Sequence, residues 1–163
     1  MTTNWTQRNT IGAELEWRVG AALIARGWSI DMYGQGAMKQ EIREALHSGT
    51  SGLRWNPDLI AVRGHEVKFV DCKASLQARP TGRHAIEQAA VAAHNQIIAV
   101  FDIPVFYVFE DMTVLTPRDV LSFGEPGKPS TNGSGQPYYL VDARHGRAFD
   151  TVFGSRLMFA AAA

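Results

Sequence analysis

The chain has a single cysteine, Cys72, in 163 residues, which excludes an intramolecular disulfide and a cysteine-rich zinc cluster. Long apolar runs are missing as well. The longest, such as Ile97 to Phe101 and Val105 to Phe109, fall far short of the roughly 20 residues that a membrane-spanning helix needs. Met1 to Asn9 is polar and includes Arg8, and no apolar stretch of signal-peptide length precedes Glu14. The expectation is therefore a cytoplasmic protein without a membrane segment, and the lone thiol fits a reducing compartment. No repeat period is visible. The five histidines, His47, His65, His84, His94 and His145, show no two-ligand spacing of the zinc-site kind. Charge of one sign is not in excess, since 16 Lys and Arg balance 16 Asp and Glu. No whole-molecule field draws the chain to nucleic acid. The distribution is uneven, however: Arg63, Lys68, Lys73, Arg79 and Arg83 fall in one stretch that holds only Glu66 and Asp71 as counter-charges.

What is present is globular in composition, 45% apolar and 20% charged, at a length that buries a core without staples. This predicts one domain, with a core over about 11–122 and a C-terminal extension over 123–163. From Ile11 to Arg26, Leu15, Val19, Ala22 and Leu23 recur at helical spacing before Gly27. Trp28 to Tyr33 alternates between two glycines and reads as a strand. Ala37 to His47 carries Met38, Ile42, Ala45 and Leu46 on one stripe, an amphipathic helix followed by a Ser/Gly loop. Asp58 to Val62 and Glu66 to Lys73 are β-branched runs joined by Arg63-Gly64-His65, a hairpin. Arg83 to Val100, rich in alanine, reads as a second long helix, and Pro104 to Phe109 as a buried strand. Thr116-Pro117 starts a short helix. Gly124 to Pro137 reads as a surface loop and Tyr138 to Val141 as an edge strand. This order predicts an α/β fold, a mixed sheet flanked by helices.

The chemistry concentrates on the hairpin. Side chains two apart on a strand share a face, so Asp71 and Lys73 point the same way as Val67 and Phe69. A carboxylate and an ammonium ending an apolar strand face are costly to bury unless they pair or bind a metal. Asp58 opens the preceding strand and lies across the hairpin from Asp71. Two carboxylates and the backbone carbonyls of Val70 to Cys72, that of Cys72 above all, make a hard oxygen site suited to Mg²⁺. Lys73 would then stand beside the ion, placed to orient water or offset charge on phosphate. Glu16 shares the apolar stripe of Val19 and Leu23, and a glutamate turned toward a core needs a reason. Glu14 stands four before Arg18 and reads as a solvent-exposed ion pair. Taken singly, Asp71 and Lys73 also read as an edge-strand ion pair, Asp58 as a turn-opening residue after Pro57 and Glu16 as a capping acid. Their joint occurrence favours a site.

Pro57-Asp58, Asp71 and Lys73, with the hairpin between them and an acidic helix upstream, resemble the PD-(D/E)xK nuclease superfamily, the restriction-endonuclease-like fold. Gly12, Glu16 and Gly27-Trp28 are similar to the first helix of archaeal-type Holliday junction resolvases within it. The resemblance implies a Mg²⁺-dependent endonuclease, with Mn²⁺ substituting, that hydrolyses phosphodiester bonds in branched or junction DNA. It implies Glu16, Asp58, Asp71 and Lys73 as catalytic residues, and a homodimer. Other readings are a restriction, transposition or repair nuclease, or a non-catalytic DNA-binding module on the same fold. Arg54, Arg63, Arg79, Arg83 and Gln88 are the expected DNA contacts, Trp55 is a candidate base-stacking side chain, and Cys72 is expected to be a small buried hydrophobe. Two features depart from the resolvase pattern, the segment Ala37 to Leu53 and the neutral overall charge.

Overall fold

The computed structural model describes residues 5–74, 81–127 and 136–154. In chain order its elements are α1 (Trp5–Ile24), β1 (Ser29–Met32), α2 (Gln40–Ser48), β2 (Leu59–Arg63), β3 (Glu66–Lys73), β4 (Arg83–Glu87), α3 (Gln88–Phe101), β5 (Val105–Phe109), β6 (Thr113–Leu115), α4 (Pro117–Phe123), β7 (Glu125–Gly127), β8 (Tyr138–Asp142), β9 (Arg147–Ala148) and α5 (Phe149–Phe153). Short 3-10 turns occupy Gln35–Ala37, Gly52–Trp55 and Ala143–His145.

The hairpin forms as its β-branched runs predict, with Leu59 opposite Val70, Ala61 opposite Lys68 and Arg63 opposite Glu66. Gly64, at φ +60, opens the two-residue turn. A glycine with positive φ in that place gives the type II′ geometry that follows the natural strand twist. The main sheet has the order β1-β2-β3-β5-β6-β9, with β3 and β5 parallel and the other pairs antiparallel. A parallel pair needs a crossover, which β4 and α3 supply. All five residues of β5 are buried, as a central strand covered on both faces must be.

Two cores result. On one face Leu15, Val19 and Leu23 of α1 pack with Leu59, Ala61, Val70, Phe106 and Val108 and with Phe149 and Phe153 of α5. On the other, Phe69, Val105, Tyr107 and Phe109 meet Ile86, Val91, Val120 and Val141, contributed by β4, α3, α4 and β8. Each fully buried large side chain contributes about 1.5–3 kcal/mol to this packing. Among the described residues no helix is long and apolar enough to cross a membrane.

Several expectations are corrected. Arg83–Glu87 is a strand and not the start of the long helix, which begins at Gln88. His84 and Ile86 point into the protein with a period of two, and their partner strand β8 lies too far along the chain for local periodicity to reveal. Tyr138–Asp142 is the middle strand of a second sheet, β4-β8-β7, and not an edge. Glu125–Gly127 is a strand where a loop was expected, and 128–135 of that loop lie outside the described residues. The segment 138–154, which reads as an extension, supplies a strand to each sheet and buries Phe149 and Phe153. Capping explains α4: Thr116 accepts from the Asp119 N–H while Asp119 accepts from the Thr116 N–H, a full capping box.

Candidate active site

The alternation of β3 puts Val70 in the first core and Phe69 and Asp71 toward the second, so a carboxylate is carried into an apolar layer. Asp71 Oδ2 lies 2.7 Å from Lys73 Nζ, with the two side chains only 7% and 20% exposed. This oxygen is sealed from solvent, and the Lys73 ammonium is the partner that offsets its charge. Burial by itself would pull the Lys73 ammonium down, but Asp71, Glu87 and Asp58 outweigh it and leave its pKa raised. The amine stays charged.

Asp58 arrives from the other strand. Its carbonyl accepts from the N–H groups of Tyr33 (2.8 Å) and Gly34 (3.1 Å), and its Oδ2 accepts from the Cys72 N–H at 2.7 Å. Burial, then the charges of Asp71 and Glu16, push the Asp58 carboxyl well above its ordinary range, against the pull of Lys73 and the Cys72 N–H. Glu16 reaches in from α1, half-buried, and is raised by burial and then by Asp71. Glu14 is exposed, and Arg18 donates to the Glu110 carbonyl instead of bridging to Glu14. The helical phase turns Glu16 inward and Glu14 outward. The Cys72 thiol is half-buried against the first core, and burial and the surrounding carboxylates hold its pKa well up.

Three acids thus crowd one end of the sheet beside one ammonium. Their separations are those of electrostatic neighbours: among the described residues no three His, Cys, Asp or Glu side chains are gathered at metal-ligating distance. The buried Asp71 carboxylate and the raised Asp58 and Glu16 carboxyls are nonetheless groups that a hard cation would satisfy, since three acids stand there beside one ammonium.

The structure is similar to that of Hjc, a Holliday junction resolvase from the archaeal hyperthermophile Archaeoglobus fulgidus, with a TM-score of 0.57 at 11% identity, covering 88% of this chain and 96% of that one. The chain has a restriction-endonuclease-like fold. D212, a nuclease from a fusselovirus, aligns more loosely, with a TM-score of 0.42 at 9% identity over 84% of this chain and 80% of that one. No protein-family model and no curated protein matches the sequence.

On this restriction-endonuclease-like frame the expected DNA contacts scatter. Arg63 sits at the hairpin turn, the far end of β2 from Asp58, and donates to the carbonyls of Arg26, Phe153 and Gly154 while its guanidinium lies 4.3 Å from the Trp28 ring centre. Its hydrogen bonds are spent on holding the chain after α5, which is a structural job. Arg83 is paired with Glu125 across the small sheet. Gln88 begins α3 and donates, at 3.4 Å, to the Tyr138 carbonyl. Arg54 lies in the 3-10 turn before Asp58, 4.8 Å above the Trp55 ring, with its carbonyl accepting from Gln35 Nε2. Arg79 lies outside the described residues.

Sequence reasoning missed four contributors. Gly34 passes so close to the Pro57-Asp58 backbone that a Cβ there would stand 2.7 Å from the Pro57 oxygen and 2.9 Å from Asp58 Cα. Glu87 faces Lys73. Tyr107 lies opposite Asp71 in the β3–β5 register, and its hydroxyl meets His94 Nδ1 at 2.9 Å. A histidine on the buried stripe of an alanine-rich helix was the available signal for the last pair.

Proposed function

We propose that the chain is a metal-dependent DNA endonuclease that hydrolyses phosphodiester bonds, with branched or junction DNA as its preferred substrate. The observation that carries the reading is the buried Asp71 carboxylate, paired with Lys73 and set beside Asp58 and Glu16 at the end of a strand in a restriction-endonuclease-like fold. The residues suit Mg²⁺ or Mn²⁺: Asp71, Asp58, the Cys72 carbonyl and Glu16 would all offer oxygen donors. A divalent cation held there supplies Lewis acidity and activates water at neutral pH.

The chain's own residues do the rest. The Cys72 N–H fixes the Asp58 carboxyl through Oδ2. Lys73, kept protonated by its acidic neighbours, offsets negative charge growing on the phosphate. Arg54, in the turn that precedes Asp58, is the basic side chain we assign to hold a phosphate, with the Trp55 ring beneath it as a stacking surface. Two such sites related by a two-fold axis would cut both strands of a junction, so the working form is a homodimer. The amphipathic α2, which buries no residue within its own chain, is one surface for that contact.

The test is cleavage of a four-way junction and of linear duplex of the same sequence, with Mg²⁺ and with chelator. Cleavage of the junction alone supports the full reading, and cleavage of both supports a repair- or restriction-type nuclease. Tight binding without cleavage under any divalent ion favours a non-catalytic DNA-binding module. Sedimentation at micromolar concentration tests the dimer.

A further inference from the structure

We propose that His94 is a positioning residue, which locks the turn that delivers Asp58 against the strand facing Asp71 through hydrogen bonds to the Trp55 carbonyl and the Tyr107 hydroxyl. For its kinetic consequence the proposal rests on the nuclease reading. Its structural half stands alone.

The chain between β1 and β2, residues 33–58, makes a long excursion where a short turn would suffice to join two antiparallel strands. Its helix α2 has no buried residue, and the apolar anchoring of the excursion falls at its two ends, where Tyr33 packs on Phe69 and Pro57 is buried. Asp58 stands at its end, three residues after Trp55. Polar contacts also tie that end to the body, among them the Asp58 bond to the Cys72 N–H and the 2.6 Å contact between His94 Nε2 and the Trp55 carbonyl.

The chemistry of the partners fixes the histidine's proton. A carbonyl only accepts, so Nε2 carries the hydrogen, and Nδ1 of the neutral ring then accepts from the Tyr107 O–H at 2.9 Å. Burial lowers the pKa of His94, which favours this neutral form. The ring is 1% exposed and leans against the Tyr107 ring, with centroids 5.4 Å apart. Tyr107 in turn sits opposite Asp71 in the sheet register. One imidazole therefore spans the two parts that bring the acids together: the excursion, which carries Asp58, and the sheet centre, which faces Asp71. Such outer partners tune a site by orienting its ligands.

Two substitutions separate positioning from mere core filling. His94→Gln places an amide N–H within reach of the Trp55 carbonyl. His94→Asn is too short for that, but its side-chain oxygen still takes the Tyr107 hydroxyl. Both are polar and each keeps one of the two partners, so both should fold. Backbone hydrogen exchange at Cys72 in the metal-free full chain reports the Asp58 bond directly, with no catalysis involved. His94→Asn is expected to speed exchange at Cys72 while Val70 and Tyr107 stay protected, and to lower kcat about 10- to 100-fold with KM for DNA unchanged. His94→Gln is expected to stay near wild type in both readouts. Equal behaviour of the two variants, or a Cys72 amide as protected in His94→Asn as in wild type, overturns the proposal. If the wild-type protein itself fails to cleave, the nuclease reading falls, and the exchange at Cys72 still decides the role of His94.

Discussion

Lys73→Met, studied in chelator, isolates the electrostatics of the site. Methionine keeps most of the stem's volume and removes the ammonium 2.7 Å from Asp71 Oδ2. The sealed oxygen is then left with the carboxylates of Asp58 and Glu16, whose charges it is coupled to, and without the ammonium that offset it. Removing one member of a buried pair costs about 3–5 kcal/mol, because the survivor's charge is left uncompensated. Lys73 is 20% exposed, so water screens part of the pair and the lower end, about 3 kcal/mol, applies. In a domain of this size that lowers Tm by about 6–12 °C. The pH dependence has a definite sign. Burial and neighbouring charge already raise Asp58, and Lys73 is one of the groups restraining it, so its loss raises Asp58 further. A carboxyl with a raised folded pKa binds more protons folded than unfolded. Its stability contribution is fullest below the unfolded value near 4 and is lost as pH rises through the folded pKa. The Lys73→Met penalty should therefore shrink from pH 8 to pH 5. Asp71→Asn removes one of the crowded charges instead and should cost less than Lys73→Met at pH 8. Thermal and urea unfolding of both variants at the two pH values decides the matter. A Lys73→Met protein as stable as Asp71→Asn at pH 8, or a penalty that grows toward pH 5, would refute the reasoning.

Gly34→Ala should cost about 1–3 kcal/mol in urea unfolding, because the new Cβ overlaps backbone at Pro57 and Asp58 rather than a flexible side chain. Arg63→Ala should lose about 1–3 kcal/mol of stability with its carbonyl partners and leave the salt dependence of DNA binding unchanged. Arg54→Ala should do the opposite and shallow the log–log salt slope by about one unit, read by fluorescence anisotropy across a salt series. His84, stacked on Phe109, has its pKa lowered by burial against the opposing pull of Asp111 and Asp142. A base with a depressed folded pKa binds fewer protons folded, so its stability contribution is complete above the unfolded value of 6.5 and is lost as pH falls through the folded pKa. The stability difference between wild type and His84→Phe should rise with pH just below 6.5 and level off above it, and a flat difference would count against a buried neutral imidazole.

The hairpin, α1 and β5 were legible because each writes its own period: Leu15, Val19 and Leu23 for a helix, Val67 to Lys73 for a strand, and Gly64 for the turn. Asp71 and Lys73 stood out because charges that end an apolar strand face are costly to bury. Partnerships made across the chain were illegible. Arg83–Glu87 becomes a strand only because Tyr138–Asp142 lies beside it, and Arg63 is drawn from the site by carbonyls about ninety residues later. Gly34 and His94 act through close approach and a backbone carbonyl, and neither leaves a spacing in the sequence. Three-residue strands such as Thr113–Leu115 are too short to show any period.

The most direct test of the account is Asp71→Asn assayed on a labelled four-way junction with Mg²⁺, for cleavage and for binding. The substitution keeps the shape of the side chain and removes the charge at the sealed oxygen beside Lys73. The account predicts that cleavage is abolished while binding is retained or tightened, since one charge that repels phosphate is gone. Cleavage by Asp71→Asn at the wild-type rate would contradict it and move the chemistry to another part of the molecule.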